Sequence, residues 1–208
     1  MMKKSSFSLL CMLGVASVAL LMVLGGCATL KSSLGVAERG IFLDGPVGGL
    51  TYKTPTLEGV TKADGSFLYK AGETVTFSLG SFVLGSTTGK PVITPLDLVP
   101  EAKGSSDQRV VNICVLLQTL DLDGDAANGI VISEKAASFV TQFGKDINFN
   151  KPVRAFSFDA GFRATIAELN NIDFFGETPR AVRPPVVAQK HLEATLAELA
   201  KKAVPDKK

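Results

Sequence analysis

Tryptophan is absent from this chain of 208 residues, histidine occurs once and cysteine three times. With a single histidine, His191, any His-centred triad hangs on one imidazole. It lies beside the apolar stripe of an amphipathic stretch, the setting of a surface or partly packed helix residue. Gly-x-Ser-x-Gly elbows, phosphate-binding glycine loops, His-Glu-x-x-His and Cys-x-x-Cys are missing. Carboxylates remain: Glu58, Glu73 and Asp64 can be imagined as a glycosidase pair, which needs about 5 to 10 Å between carboxyl groups. Any chain of this size offers such a trio, and we do not expect an enzyme. A charge of one sign is also lacking, since 22 Lys and Arg stand against 20 Asp and Glu. A nucleic-acid partner, which requires a concentrated basic face, is not expected.

Long apolar runs are absent except at the start. Lys3 and Lys4 precede an apolar stretch from Phe7 to Leu24, and Gly25, Gly26 and Cys27 follow. A basic head, an apolar run and a small-residue exit are the parts of a secretory signal. The run is at the lower limit of a membrane-spanning helix, about 17 to 20 residues, so the ending carries the distinction. Leu24-Gly25-Gly26-Cys27 resembles the lipobox of bacterial lipoproteins; a signal peptide with a coincidental cysteine is the alternative. The resemblance implies removal of residues 1–26, acylation of the Cys27 thiol and a further acyl chain on the new amino terminus. Each buried CH₂ contributes about 0.8 kcal/mol, so several chains make detachment negligible. Ala28, rather than Asp, follows the cysteine, which under the family's sorting rule implies the outer membrane, with the protein facing the periplasm or the surface. Residues 27–38 then form a lipid-anchored tether.

Loss of the leader would remove Cys11, and lipid would consume Cys27, leaving Cys114 as the only thiol. No disulfide within the mature chain is then possible, and the fold must rest on its core. Cys114 falls inside an apolar stripe and is expected to be a buried small hydrophobe.

Residues 39–98 carry short strand signals. Val75, Phe77 and Leu79 alternate with Thr74, Thr76 and Ser78, and Gly80 separates them from a second run, Phe82 to Leu84. Asp64-Gly65 stands between Val60-Thr61 and Phe67-Tyr69 with the chemistry of a tight hairpin. The punctuation predicts a small antiparallel sandwich or barrel without helix. "GVTKADGSFLYKAGETVTFSLG" resembles the core of carboxypeptidase-regulatory and collagen-adhesin B-type β modules. "FLDGPVGGLTYKTPT" and "VLGSTTGKPVITPLDLVP" are similar to segments of uncharacterised proteobacterial surface lipoproteins. The resemblance implies a module that acts as a spacer, binder or assembly part.

Residues 99–208 are expected to be mainly helical, giving an α+β chain. Val110, Ile113, Cys114, Leu117 and Leu120 share one helical face, with Asp107 as cap and Gln108 and Arg109 turned to solvent. A second helix is predicted over Ser133–Phe143, burying Ala136, Phe139, Val140 and Phe143. A third runs from Val186 to Ala203, started by Pro184 and Pro185 and carrying Leu192, Leu196 and Leu199. Between them Phe156, Phe158, Phe162, Phe174 and Phe175 supply aromatic bulk for the core or for a ligand. Lys201, Lys202, Lys207 and Lys208 form a solvated basic tail.

"TLDLDGDAANGIVISE" holds the densest chemistry. Asp121, Asp123 and Asp125 alternate as at the start of a calcium-binding EF-hand loop, but the glycine and closing-carboxylate positions do not both fit in either register. An irregular Ca²⁺ site from Asp121, Asp123, Asp125, Asn128 and Glu134 is one reading. Carboxylates at a helix C-terminus oppose the helix dipole by a few tenths to about 1 kcal/mol each, and a cation would reverse that sign. A solvated acidic turn is the other reading. The whole chain is therefore expected to be a lipid-anchored, non-catalytic binding, adhesion or assembly module, monomeric, with an envelope protein or glycan partner. The alternatives are an envelope-polymer hydrolase and a calcium-dependent structural or adhesive protein.

Overall fold

The computed structural model describes residues 35–203. The leader, Cys27 and the terminal Lys207 and Lys208 lie outside the described residues. The protein is α+β. Its strands are β1 (Glu38–Phe42), β2 (Val47–Gly48), β3 (Thr51–Lys53), β4 (Glu58–Val60), β5 (Ser66–Tyr69), β6 (Thr74–Leu79), β7 (Phe82–Thr88), β8 (Val92–Ile93) and β9 (Ile130–Val131). Its helices are α1 (Gln108–Leu120), α2 (Glu134–Phe143), α3 (Val153–Phe156), α4 (Ala160–Asn171) and α5 (Pro185–Ala203).

The predicted alternation holds in β6, where Val75, Phe77 and Leu79 are buried and the intervening residues are not. β6 pairs with β3 and β7 in a four-stranded antiparallel sheet of order β4-β3-β6-β7. β1 is the centre of a second sheet, antiparallel to β5 and parallel to β8. Aromatic side chains from the two sheets meet: Phe42 of β1 lies 4.8 Å from Phe77 of β6, and Phe67 of β5 lies 5.1 Å from Phe77 and 5.8 Å from Tyr52 of β3. Each fully buried aromatic or aliphatic side chain is worth roughly 1.5–3 kcal/mol of transfer free energy.

The turn at Asp64-Gly65 forms, with Gly65 at φ 75° and the Asp64 Oδ1 accepting from the Ser66 amide at 2.9 Å. Its flanking strands do not pair with each other. β4 joins β3 and β5 joins β1, so the chain crosses here from one sheet to the other. Hairpin chemistry fixes the reversal, and the partner is chosen by which sheet buries Phe67 and Tyr69. A 3-10 turn over Pro95–Leu98, boxed by Thr94 and Asp97, ends the block predicted to lack helix.

α1 begins where expected, with the Asp107 side chain accepting from the Arg109 amide. It differs from a one-faced helix: every residue from Val110 to Leu120 is buried. α5, α3, the turn at Pro95–Leu98 and β9 pack around it, so its polar residues need internal partners. Asn112 donates to the carbonyls of Phe149 and Lys151 at 2.9 and 2.8 Å, and the Thr119 hydroxyl donates to Val115 at 2.6 Å. α2 starts on its Ser133 cap and α5 at Pro185, close to the predicted bounds. The aromatic stretch, expected only to supply bulk, forms α3 and α4, with Phe162, Ile166 and Leu169 buried at helical spacing along α4. Asp159, fully buried, caps α4 through the Phe162 amide and sits 2.7 Å from the Lys151 ammonium. Phe156 and Phe162 stack at 5.2 Å in the core, whereas Phe158 is 76% exposed.

One buried cluster runs through both halves of the chain, from Phe42 and Phe77 to Leu116, Leu169 and Leu192. β9 reinforces it by pairing in parallel with β2, the Ile130 amide donating to Pro46 at 2.8 Å and that of Ile132 to Gly48 at 3.0 Å. Gly49 holds φ 89° against this seam, and a Cβ there would overlap the Ile132 carbonyl. Among the described residues no helix is long and apolar enough to cross a membrane.

Candidate functional site

The loop after α1 and the segment before α5 enclose a cleft of about 410 Å³, within the range of ligand pockets, about 300–1,000 Å³. The loop holds the acidic residues singled out above, and its carboxylates are engaged by the chain. Asp121 is buried, and its Oδ1 accepts from the Val131 amide at 2.9 Å. Burial raises its pKa against that hydrogen bond, and its Oδ2 has no partner. Asp123 accepts from the Asp125 amide at 2.9 Å and from the Asn128 side-chain amide at 3.0 Å, which hold its carboxyl below the usual range. Asp125 caps the next 3-10 turn through the Ala127 amide. Glu134 is exposed at the start of α2 and borders a different, apolar groove beside Val60 and Ile132. The described residues contain no group of three or more carboxylate, imidazole or thiol side chains placed to hold one ion.

The charge nearest the acidic loop belongs to Arg180, which sequence reading passed over. Its guanidinium stacks 4.4 Å from the centre of the Phe175 ring, donates to the Leu122 carbonyl at 3.2 Å, and rests on Gly124 where a Cβ would meet it. Gly124 holds φ 80°, so both its backbone angle and its missing side chain serve that approach. Burial lowers the Arg180 pKa, while Asp121 and Asp123 act against that shift. Asn170 fixes the segment by bonding the amide and carbonyl of Arg180 at 2.8 and 3.1 Å.

Arg183 lines the same cleft. Its amide donates to Thr119 Oγ1 at 2.9 Å. Its guanidinium has no carboxylate oxygen within 4.0 Å among the described residues, and its Nε is buried without an acceptor. Gln118, almost fully buried, forms part of the wall and donates to Asp44 Oδ2 at 2.9 Å and to the Ala188 carbonyl at 3.1 Å. Its Oε1 has no donor.

Behind Gln118 lies a second constellation that composition alone does not reveal. Asp44, in the loop after β1, is fully buried. Burial lifts its carboxyl from 3.8 to about 6, against the Gln118 hydrogen bond and the charges of His191 and Arg183. The Cys114 thiol is buried beside the same carboxyl, and burial together with Asp44 pushes its pKa well up. His191 is partly packed on α5: its side chain is 18% exposed, and Nε2 lies 2.9 Å from the Asp44 main-chain oxygen. Cysteine, histidine and aspartate thus meet, but the sulfur is a buried, protonated thiol facing a carboxylate, the opposite of an activated nucleophile. Their joint effect is to bind α5 and the β1 loop to α1.

The carboxylates imagined as a glycosidase pair are engaged separately. Asp64 pairs with Arg39, Glu58 lies 3.9 Å from Lys53, and Glu73 accepts from the Thr56 hydroxyl at 2.7 Å. No protein-family model matches the chain, and no curated protein or solved structure is similar enough to count as a match.

Proposed function

We propose that the protein is a lipid-anchored, non-catalytic recognition module of the bacterial cell envelope, held at the outer membrane through Cys27. The cleft between the acidic loop and the segment before α5 is its binding site. The observation that carries this reading is Arg183: its guanidinium lines a ligand-sized cleft with no carboxylate oxygen within 4.0 Å among the described residues, and feels only the longer-range charge of Asp44. A guanidinium at a cavity with no hydrogen-bonded carboxylate is a place for the anionic group of a partner. Confinement by lipid would raise the effective concentration of such a site for molecules of the same surface.

The N-terminal resemblance supports the anchor, and two measurements test the whole. Intact-mass analysis of the membrane-extracted protein should show residues 1–26 removed and acyl chains on Cys27. A pull-down from solubilised envelopes with the acylated protein should retain a specific partner that Arg183→Gln releases. An unmodified Cys27 or an attached leader rejects the anchor, and turnover of cell-wall fragments that is lost on Asp or Glu substitution rejects the non-catalytic reading.

A further inference from the structure

The cleft has a definite charge pattern, and the pattern selects a ligand class. Two guanidiniums share it, and Arg183 repels the charge on Arg180. Arg180 is already committed to Phe175 and the Leu122 carbonyl, whereas Arg183 makes no side-chain hydrogen bond among the described residues. An anion bridging toward Arg183 relieves that repulsion, and a carboxylate matches its two-pronged donor geometry. Asp123, held ionised by the Asp125 amide and the Asn128 side chain, lines the same cleft. A dianion such as phosphate would meet this carboxylate and the neighbouring Asp121, while a ligand carrying its own positive group would be attracted by it.

Buried atoms of the cleft wall limit which groups a ligand can meet. Gln118 is almost completely buried in the cleft wall, both protons of its amide are taken by Asp44 and Ala188, and its Oε1 is left without a donor. That oxygen and the Arg183 Nε are both closed off from the cleft, so a ligand meets Arg183 through its terminal nitrogens, which have no partner among the described residues. Pro179, Ala181 and Val182 supply apolar surface beside these groups.

We propose that the cleft binds the amino-carboxylate head of a small zwitterion, with its carboxylate on Arg183 and its ammonium on Asp123, and an aliphatic side chain along Val182. The ligand is a free α-amino acid or the same head group displayed on a side chain of an envelope polymer. Arg180, fixed on Phe175 and Gly124, sets the field without moving. This deepens the recognition reading above and depends on the cleft being its site. Failure of the ligand class leaves the anchor, read by intact mass, and retention of a partner, read by pull-down, to stand or fall separately.

The test is calorimetric titration of the full chain in detergent with L- and D-leucine, leucinamide, N-acetyl-leucine and Nε-acetyl-lysine. Saturable binding of leucine, with the amide and the N-acetyl compound at least tenfold weaker, is expected. Nε-acetyl-lysine binding as well as leucine assigns a polymer-borne head, and leucine binding alone assigns a free amino acid. Arg183→Gln and Asp123→Asn should each weaken leucine by tenfold or more while their thermal melts stay within a few degrees of the parent. Should Arg183→Gln fail to fold, Arg183→Lys, which keeps the charge but loses the fork, should weaken binding severalfold. Absence of binding by leucine and Nε-acetyl-lysine overturns the proposal, as does equal binding of leucinamide and N-acetyl-leucine.

Discussion

His191 and Asp44, 147 residues apart in sequence, are joined by a 2.9 Å contact between the imidazole Nε2 and the Asp44 main-chain oxygen, with the Asp44 Oδ1 at 3.9 Å. The contact fixes the middle of α5 to the loop after β1. Thr195, one turn further along α5, accepts from the Gly45 amide at 2.9 Å and extends the same attachment. His191→Ala should lower stability by about 1–2 kcal/mol, the value of a part-buried hydrogen bond and its packing. Urea unfolding checks this, and an unchanged midpoint would show that α5 is held by Ala188 and Leu192 alone.

Stability should depend on pH through Asp44. Its folded carboxyl, lifted by burial from 3.8 to about 6, keeps its proton where the unfolded chain has released it. The folded state therefore binds more protons in that window, and stability falls as pH rises from about 4 to about 6. The full effect is on the order of 3 kcal/mol. Asp123 and Glu73, held low by their hydrogen bonds, act in the opposite direction, and Asp121 acts in the same one. The informative quantity is the difference between the parent and Asp44→Asn in thermal melts at pH 4 and 6.5. The variant should gain on the parent at the higher pH, and parallel curves would remove Asp44 from the account.

Gly49→Ala should cost about 2–4 kcal/mol or prevent folding. The new methyl would meet the Ile132 carbonyl, which is backbone and has little room to retreat, and φ 89° strains any L side chain. Because the damage falls on the seam between β2 and β9, amide exchange should accelerate at Ile130 and Ile132 first. Slow exchange there in a folded variant would contradict the tight packing of this seam.

The acidic loop should be indifferent to calcium while Arg180 is present, since the guanidinium already supplies its positive charge. Arg180→Ala should lose about 1 kcal/mol through the stacking and hydrogen bond removed. Millimolar calcium should restore part of that loss, and EDTA should abolish the recovery. A calcium-induced rise in the parent's melting temperature that Asp123→Ala removes would instead make the loop a cation site.

The parts of the fold legible in the sequence are those where one element decides its own fate. Val75, Phe77 and Leu79 announce their strand because one face is buried, and Ser133 and Pro185 mark helix starts through local backbone chemistry. The hairpin reading at Asp64-Gly65 found the turn and missed the pairing, because which sheet accepts Phe67 is settled at long range. α1 looked one-faced because Asn112, Gln118 and Thr119 interrupt its apolar pattern, yet each of them bonds within the core. At the candidate site the aspartates were visible as a motif, and Arg180, Arg183 and Asp44 were not. Their importance comes from neighbours 10 to 147 residues away. A lone arginine between prolines carries no periodic signal. Pro179-Arg180 followed by Arg183-Pro184 in an otherwise featureless stretch was the one available hint.

Ala188 and Leu192, which close the core over α1, belong to the last of the described helices and are synthesised after α1 and all the described strands. Until they arrive, the most apolar helix of the molecule has an uncovered side, and the strands before it have nothing finished to pack against. A nascent chain of this design cannot complete its fold from the front backwards. Truncation of α5 before Ala188 should leave a sticky intermediate rather than a smaller working protein.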